Sequence, residues 1–271
     1  MRTLKNHVIL FDNECPMCYA YTKAFVKTGM LSQKGREAYQ KMPSNICPLV
    51  THQRAANEIA LVNTETGEVT YGIKSLFKII AHAMPFFKPL FLFSPFIYLM
   101  QKLYAFISYN RKVIIPVAVK KNSLQPSFKR HYRIAFLTFT WIITAYILTN
   151  YAHLLTGFVP LGGKYREYLI CGGQLFFQGA IISFYKKEKL WDYLGNMMTI
   201  SFAGSLLLLP VIVLARYIDF ESLFFLLCFL MVAGLMFLEH IRRSKVLKLG
   251  WLMSVTWALY RLIVLGLIFI L

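Results

Sequence analysis

The sequence predicts an α/β domain at the N-terminus followed by an all-α transmembrane helical bundle of about five spans. Three observations carry this. An apolar run at residues 8–11 (VILF), too short for a helix, leads directly into Cys15-Pro16-Met17-Cys18 at the start of a helical pattern. Strand, turn, strand and amphipathic-helix patterns then follow one another over residues 58–83. From residue 134 the composition changes, and five apolar stretches appear, each near the roughly 20 residues that a bilayer core requires.

The first strand is bounded by Asp12. Proline is tolerated in the opening turn of a helix, where its missing N–H would have no partner, so Pro16 fits a helix over 16–28, with Gly29 as the stop. A helix N-terminus presents unpaired N–H groups that favour thiolate over thiol, and the two-residue spacing lets Cys15 and Cys18 close a small disulfide. Half of a zinc site is the competing reading, with Cys47 and His52 as the nearest further ligands. Two inert buried thiols are a third.

Residues 31–52 are polar and broken by Gly35, Pro43 and Pro48, and no middle strand is legible there. Residues 58–63 (EIALVN) and 68–71 (EVTY) read as strands joined by the turn Thr64-Glu65-Thr66-Gly67. Ile73, Leu76, Phe77, Ile80 and Ala83 give the spacing of an amphipathic helix. Strand, CxxC helix, hairpin and helix make the skeleton of a thioredoxin-like domain. Residues 84–95 carry three prolines and do not form a comfortable span. A helix over 96–111 follows. With Lys102, Arg111 and Lys112 it suits a membrane surface, and equally it suits a cover over the sheet.

These residues resemble the DCC family of thiol–disulfide oxidoreductases, named for the pattern DxxCxxC, here Asp12, Cys15 and Cys18. The family closes its domain with a tyrosine followed by an Asn-Arg pair, and Tyr104 with Asn110-Arg111 fits; so does the TGEVTYG hairpin, 66–72. The resemblance covers about residues 5–115. It implies a thioredoxin-like fold and dithiol chemistry, with a protein or small-molecule thiol/disulfide as substrate and no organic cofactor. Thioredoxins place a cis-proline before the strand facing the CxxC. Here Arg54-Ala55-Ala56-Asn57 stand before Glu58, and the nearest proline is Pro48.

The division expected is a domain at 1–115, a basic linker at 116–133 and a helical domain at 134–271. Hydrophobic residues make up 57% of the chain, more than in an ordinary soluble domain. Net charge is +18, and residues 1–133 hold 19 of the 30 basic and 6 of the 12 acidic residues. A basic chain this apolar is expected to face anionic lipid headgroups. The basic residues are scattered without a nucleic-acid-binding motif, which excludes that class of partner. The first apolar run is too short for a signal peptide, so the first domain is expected in the cytoplasm, on a bacterial plasma membrane.

The spans read as 134–155, 168–185, 193–215, 220–240 and 251–271. Gly172, Gly173 and Gly179 in the second permit close packing. Basic residues precede the first span and lie between the second and third and between the fourth and fifth, the alternation of a cytoplasmic N-terminal domain. Cys171 and Cys228 fall singly inside spans and read as small apolar residues. Arg261 lies near the middle of the fifth span, where a charge costs about 2.5–3.5 kcal/mol on insertion scales. It should face the bundle interior, with Glu239 and His240 as candidate partners. A transporter-like or lipid-binding bundle carrying a zinc-binding or redox-sensing module is the alternative to an enzyme, and its signature is a ligand pocket around Arg261.

Overall fold

A computed structural model of the chain describes residues 2–41, 50, 51, 54, 56–117 and 126–270 and divides it into two compact units, Met1–Lys129 and Arg130–Leu271. The first unit contains strand β1 (His7–Phe11), helix α1 (Pro16–Lys27), strands β2 (Arg36–Ala38), β3 (Ala60–Asn63) and β4 (Val69–Tyr71), and helices α2 (Ile73–Ala83), α3 (Lys88–Leu92) and α4 (Ser94–Ile114). The strands form one sheet in the order β2-β1-β3-β4. β1 runs parallel to β2, while β3 is antiparallel to both β1 and β4.

Alternation along the strands covers both sheet faces. Ile9, Phe11 and Leu61 pack with Cys15, Cys18, Leu31 and Ile79 on one face. Leu10, Ala60 and Val62 pack with Tyr39 and Val50 on the other. The dithiol is therefore part of a core, held at the end of the central strand. β3 begins two residues later than its apolar pattern, because side chains occupy the backbone before it. Tyr39 Oη donates to Glu58 O (3.2 Å) and Ile59 N donates to Tyr104 Oη (3.0 Å).

The proline-rich stretch breaks as expected. A single 3-10 turn, Pro85–Phe87, precedes α3, and the axis bends by 88° between residues 85–92 and α4. Phe77 of α2 stacks on Phe91 (4.2 Å between centroids) and on Phe96 (5.8 Å), which fixes α4 against the α/β core. One face of α4 turns inward, with Ser108 and Asn110 buried. Tyr98 and Leu99 on another face are each 63% exposed. The helix thus covers the core and still presents an apolar face.

The second unit consists of α5 (Arg130–Ala152), α6 (Arg166–Tyr185), α7 (Leu190–Leu214), α8 (Ser222–Val246) and α9 (Leu252–Ile270). Five helical segments, Arg130–Leu155, Arg166–Tyr185, Lys187–Leu214, Ser222–Val246 and Leu252–Ile270, are long and apolar enough to cross a membrane. The first starts at Arg130, before the apolar composition does, because Arg133 is absorbed into the fold: it donates to Trp191 O at 2.6 Å. The stretch expected as a linker is also partly structured, since Ser127 donates through N and Oγ to Asn57 Oδ1 (2.8 and 2.7 Å). Gly172 allows Trp141 to lie against α6, where a Cβ would come within 2.8 Å of the indole. Trp141 Nε1 then donates to Tyr168 O (2.9 Å).

Candidate functional site

β1 delivers Asp12 and the CPMC sequence to the edge of the core, and α1 begins immediately. Cys15 is the N-cap of α1 and Pro16 its first residue, where no N–H is needed. The Cys15 Sγ accepts from Cys18 N at 3.5 Å, so the thiol itself occupies the place of a capping oxygen. The capping role thus falls to Cys15 and not to Asp12. Asp12 Oδ1 instead accepts from Glu14 N (3.1 Å) and from Gln40 Nε2 (2.9 Å) in the connecting loop.

Asp12 Oδ2 lies 3.5 Å from Arg111 Nη2, in an ion pair whose side chains are only 7% and 10% exposed. Arg111 Nη2 also donates to Ala56 O (2.9 Å). The last turn of α4 is thereby tied to the loop that precedes the dithiol. Of the Asn-Arg pair only Arg111 reaches this site. Asn110 is fully buried, and its amide donates to Phe106 O one turn back. Tyr104, one turn earlier than Ser108, accepts from Ile59 N and lies against Gly72.

Both cysteines are free thiols. Both are 9% exposed, so hydrogen bonding and charge, not exposure, separate the two. The Cys18 side chain hydrogen-bonds to Cys15 and favours its thiolate. Burial opposes this, the Cys18 backbone N–H and the Arg111 guanidinium support it, and the Asp12 carboxylate works against it. The balance brings Cys15 down to about 6. Cys18 moves far up, because it is the donor in that hydrogen bond and is buried. One thiolate beside one retained thiol is the state this geometry favours.

A cleft of about 230 Å³ opens beside the pair. Apart from the cysteines, Tyr21 and Arg111, its walls are mostly apolar, including Met17, Leu76, Met100, Leu103 and Ile107. The α4 contribution falls at positions 100, 103, 104, 107, 108 and 111, a helical stripe that the sequence contains but that no motif singles out. Gln40 likewise has no signature before the fold places it. Among the described residues, no group of three or more His, Cys, Asp or Glu side chains is placed to hold a metal ion. Cys47 and His52, the further ligands of the zinc reading, lie outside those residues.

No family model, curated protein or solved structure matches this chain. The site therefore stands on its own geometry.

In the helical unit, Arg261 does not meet the partners expected for it. Glu239 binds Arg242 (2.6 and 2.7 Å) and Arg243 (2.7 Å), its neighbours three and four residues on. His240 lies 3.1 Å from both Tyr193 Oη and Ser254 Oγ. Glu239 is taken up by arginines of its own helix and His240 by Tyr193 and Ser254, so neither is left to Arg261. Cys171 is buried and Cys228 half-buried, each a free thiol.

Proposed function

We propose that the chain is a membrane-anchored thiol–disulfide oxidoreductase of DCC type, with its α/β unit in a thioredoxin-like arrangement. The observation that carries this is the asymmetry of the dithiol: Cys15 caps the helix and is held near pKa 6 beside Arg111, while Cys18 keeps its proton. The topology supports it, with two parallel strands joined through the CxxC helix and followed by an antiparallel hairpin and a helix. Five apolar helices supply the anchor.

In the reaction, the Cys15 thiolate attacks one sulfur of a substrate disulfide, and the other sulfur leaves as a thiolate that takes a proton from water. Cys18 then gives up its proton and attacks Cys15 Sγ, releasing the second substrate thiol and closing the Cys15–Cys18 disulfide. The substrate gains two electrons and the pair loses two; an external dithiol restores the pair. Asp12 is a positioning residue that holds Arg111 beside the thiolate. The full chain, equilibrated in glutathione buffers of graded ratio, should lose both thiols together in one two-electron step. Thiols that persist at every ratio, with one zinc per chain, would support the zinc module instead.

The α/β unit belongs on the cytoplasmic side in this proposal. Lys186, Lys187 and Lys189 connect α6 to α7, and Arg242, Arg243, Lys245 and Lys248 lie where α8 leads into α9, whereas the opposite connections carry Lys164, Arg166 and Arg216. A cysteine replacing Lys187 should escape an impermeant thiol label applied outside cells, and one replacing Asp219 should react. The reverse pattern inverts the protein.

A further inference from the structure

Both thiols belong to the wall of the cleft beside them, so whatever reaches Cys15 must suit the rest of that wall. Its polar groups are already engaged. Tyr104 Oη accepts from Ile59 N at 3.0 Å, and Ser108 Oγ donates to Asn57 O. Arg111 Nη2 faces Asp12 at 3.5 Å and donates to Ala56 O at 2.9 Å. The Tyr21 hydroxyl hydrogen-bonds to Cys18. A polar substituent that left water for this cleft would give up hydrogen bonds to water and find its new partners occupied. Nor does the cleft offer a spare charge. Apart from the Cys15 thiolate, Arg111 is the one charged group in its wall, and Asp12 balances it.

The remaining wall is apolar and is drawn from three helices: Met17 of α1, Ile73 and Leu76 of α2, and Met100, Leu103 and Ile107 of α4. Leu76 packs against the core, whereas Leu103 and Ile107 are 46% and 36% exposed. Apolar side chains left open beside a nucleophile gain free energy when an apolar group covers them. The two methionines add adaptable surface that fits groups of more than one shape. The volume sets a size. At about 230 Å³ the cleft is smaller than the roughly 300–1,000 Å³ of sites that enclose a whole drug-sized ligand. It holds one ring or one branched chain.

We propose that this cleft selects substrate disulfides bearing one apolar group, of ring or leucine size, beside the attacked sulfur, with Leu103 and Ile107 as specificity-determining residues. The inference rests on the oxidoreductase reading and names the substrate class for it. With the apolar group in the cleft, Cys15 Sγ bonds to the adjacent substrate sulfur, the substrate S–S bond breaks, and the departing thiolate takes a proton from water. Cys18 then loses its proton to water and displaces the bound sulfur from Cys15, so the substrate gains the two electrons that the pair loses. A small molecule and an apolar side chain beside a protein disulfide present the same chemistry, and the test separates them.

The test uses the reduced full chain in a nonionic detergent and follows closure of the Cys15–Cys18 disulfide by peptide mass. Two pairs of oxidants are compared: dibenzyl disulfide with bis(2-hydroxyethyl) disulfide, and a peptide disulfide with Leu beside the cysteine with its Ser counterpart. Each pair gives a ratio of apolar to polar rate. Leu103→Gln should lower that ratio by about tenfold, the scale on which a pocket reads one or two methylenes. Partition into detergent affects parent and variant alike, so the change in ratio isolates the cleft. Ile107→Gln reads the same effect if Leu103→Gln fails to fold. Tyr98→Gln, on an exposed face of the same helix outside the cleft, should leave the ratio as it is. A fall confined to the dibenzyl pair assigns a small-molecule substrate, and one confined to the peptide pair assigns a protein. Ratios unchanged by both cleft variants, or lowered equally by Tyr98→Gln, would overturn the inference while oxidation itself upholds the oxidoreductase. If none of the four oxidants closes the pair, both readings fall.

Discussion

Serine in place of Cys18 is expected to convert transient partners into stable mixed disulfides. Cys15 retains the helix-capping position and the Arg111 guanidinium nearby, so it still attacks a substrate disulfide. Without Cys18 the second displacement has no internal nucleophile, and release must await an external thiol. Serine in place of Cys15 leaves only the thiol that burial and its role as hydrogen-bond donor keep protonated, and it should trap little or nothing. Nonreducing electrophoresis of the two full-length variants from the same cells reads this directly, and the expected contrast is more than tenfold in trapped material. Equal trapping by both variants would remove the asymmetry on which the mechanism depends. Trapping by Cys15→Ser alone would exchange the two roles.

Replacement of Arg111 by methionine should act on both stability and chemistry. It leaves the Asp12 carboxylate buried, with Glu14 N and Gln40 Nε2 as hydrogen-bond donors but without its counter-charge. Breaking a buried pair by removing one partner costs about 3–5 kcal/mol. The two remaining donors place this case near about 3 kcal/mol on that scale. Hydrogen exchange at the β1 and β3 amides should accelerate by roughly a hundredfold if they exchange through opening of this unit. The guanidinium also favours the Cys15 thiolate, so its loss raises the Cys15 pKa from about 6. In the parent, alkylation of Cys15 should fall to half its plateau near pH 6 as the pH is lowered, because the thiolate is the reacting form. In Arg111→Met that midpoint should move to higher pH, and Arg111→Lys, which keeps a charge, should lie between the two. An unchanged midpoint in Arg111→Met would show that the guanidinium does not act on the thiol.

Much of the α/β unit is legible because its signals are local. VILF before Asp12 gives β1, Pro16 and Gly29 bound α1, and the TETG turn fixes the hairpin. β2 is different. Arg-Glu-Ala has no strand pattern of its own, and these residues are extended because Ile9, Leu10 and Phe11 pair with them in parallel. Arg36 adds packing from its side chain, which stacks over the rings of Phe11 (4.3 Å) and Tyr19 (4.6 Å). Arg111 is singled out by family resemblance, but its ion pair with Asp12 depends on a distant helix docking and has no local signal. Gln40 is missed for the same reason. In the helical unit, the depth of Arg261 follows from counting residues. Its surroundings do not, since they depend on which faces of α5, α7, α8 and α9 meet.

The pair between Asp12 and Arg111 spans 99 residues, and this imposes an order in time. A chain is made from its N-terminus at about 5–20 residues per second, so the dithiol leaves the ribosome roughly 5–20 s before the arginine that favours its ionisation. Until α4 has been made and docked, the nascent chain carries two cysteines without that charge and an Asp12 carboxylate without its guanidinium. Among the described residues, the helix that completes this setting is the last before Arg130–Leu155, a segment long and apolar enough to cross a membrane. Completion of the thiol's electrostatic setting and emergence of that apolar segment are therefore adjacent steps in the synthesis of one polypeptide.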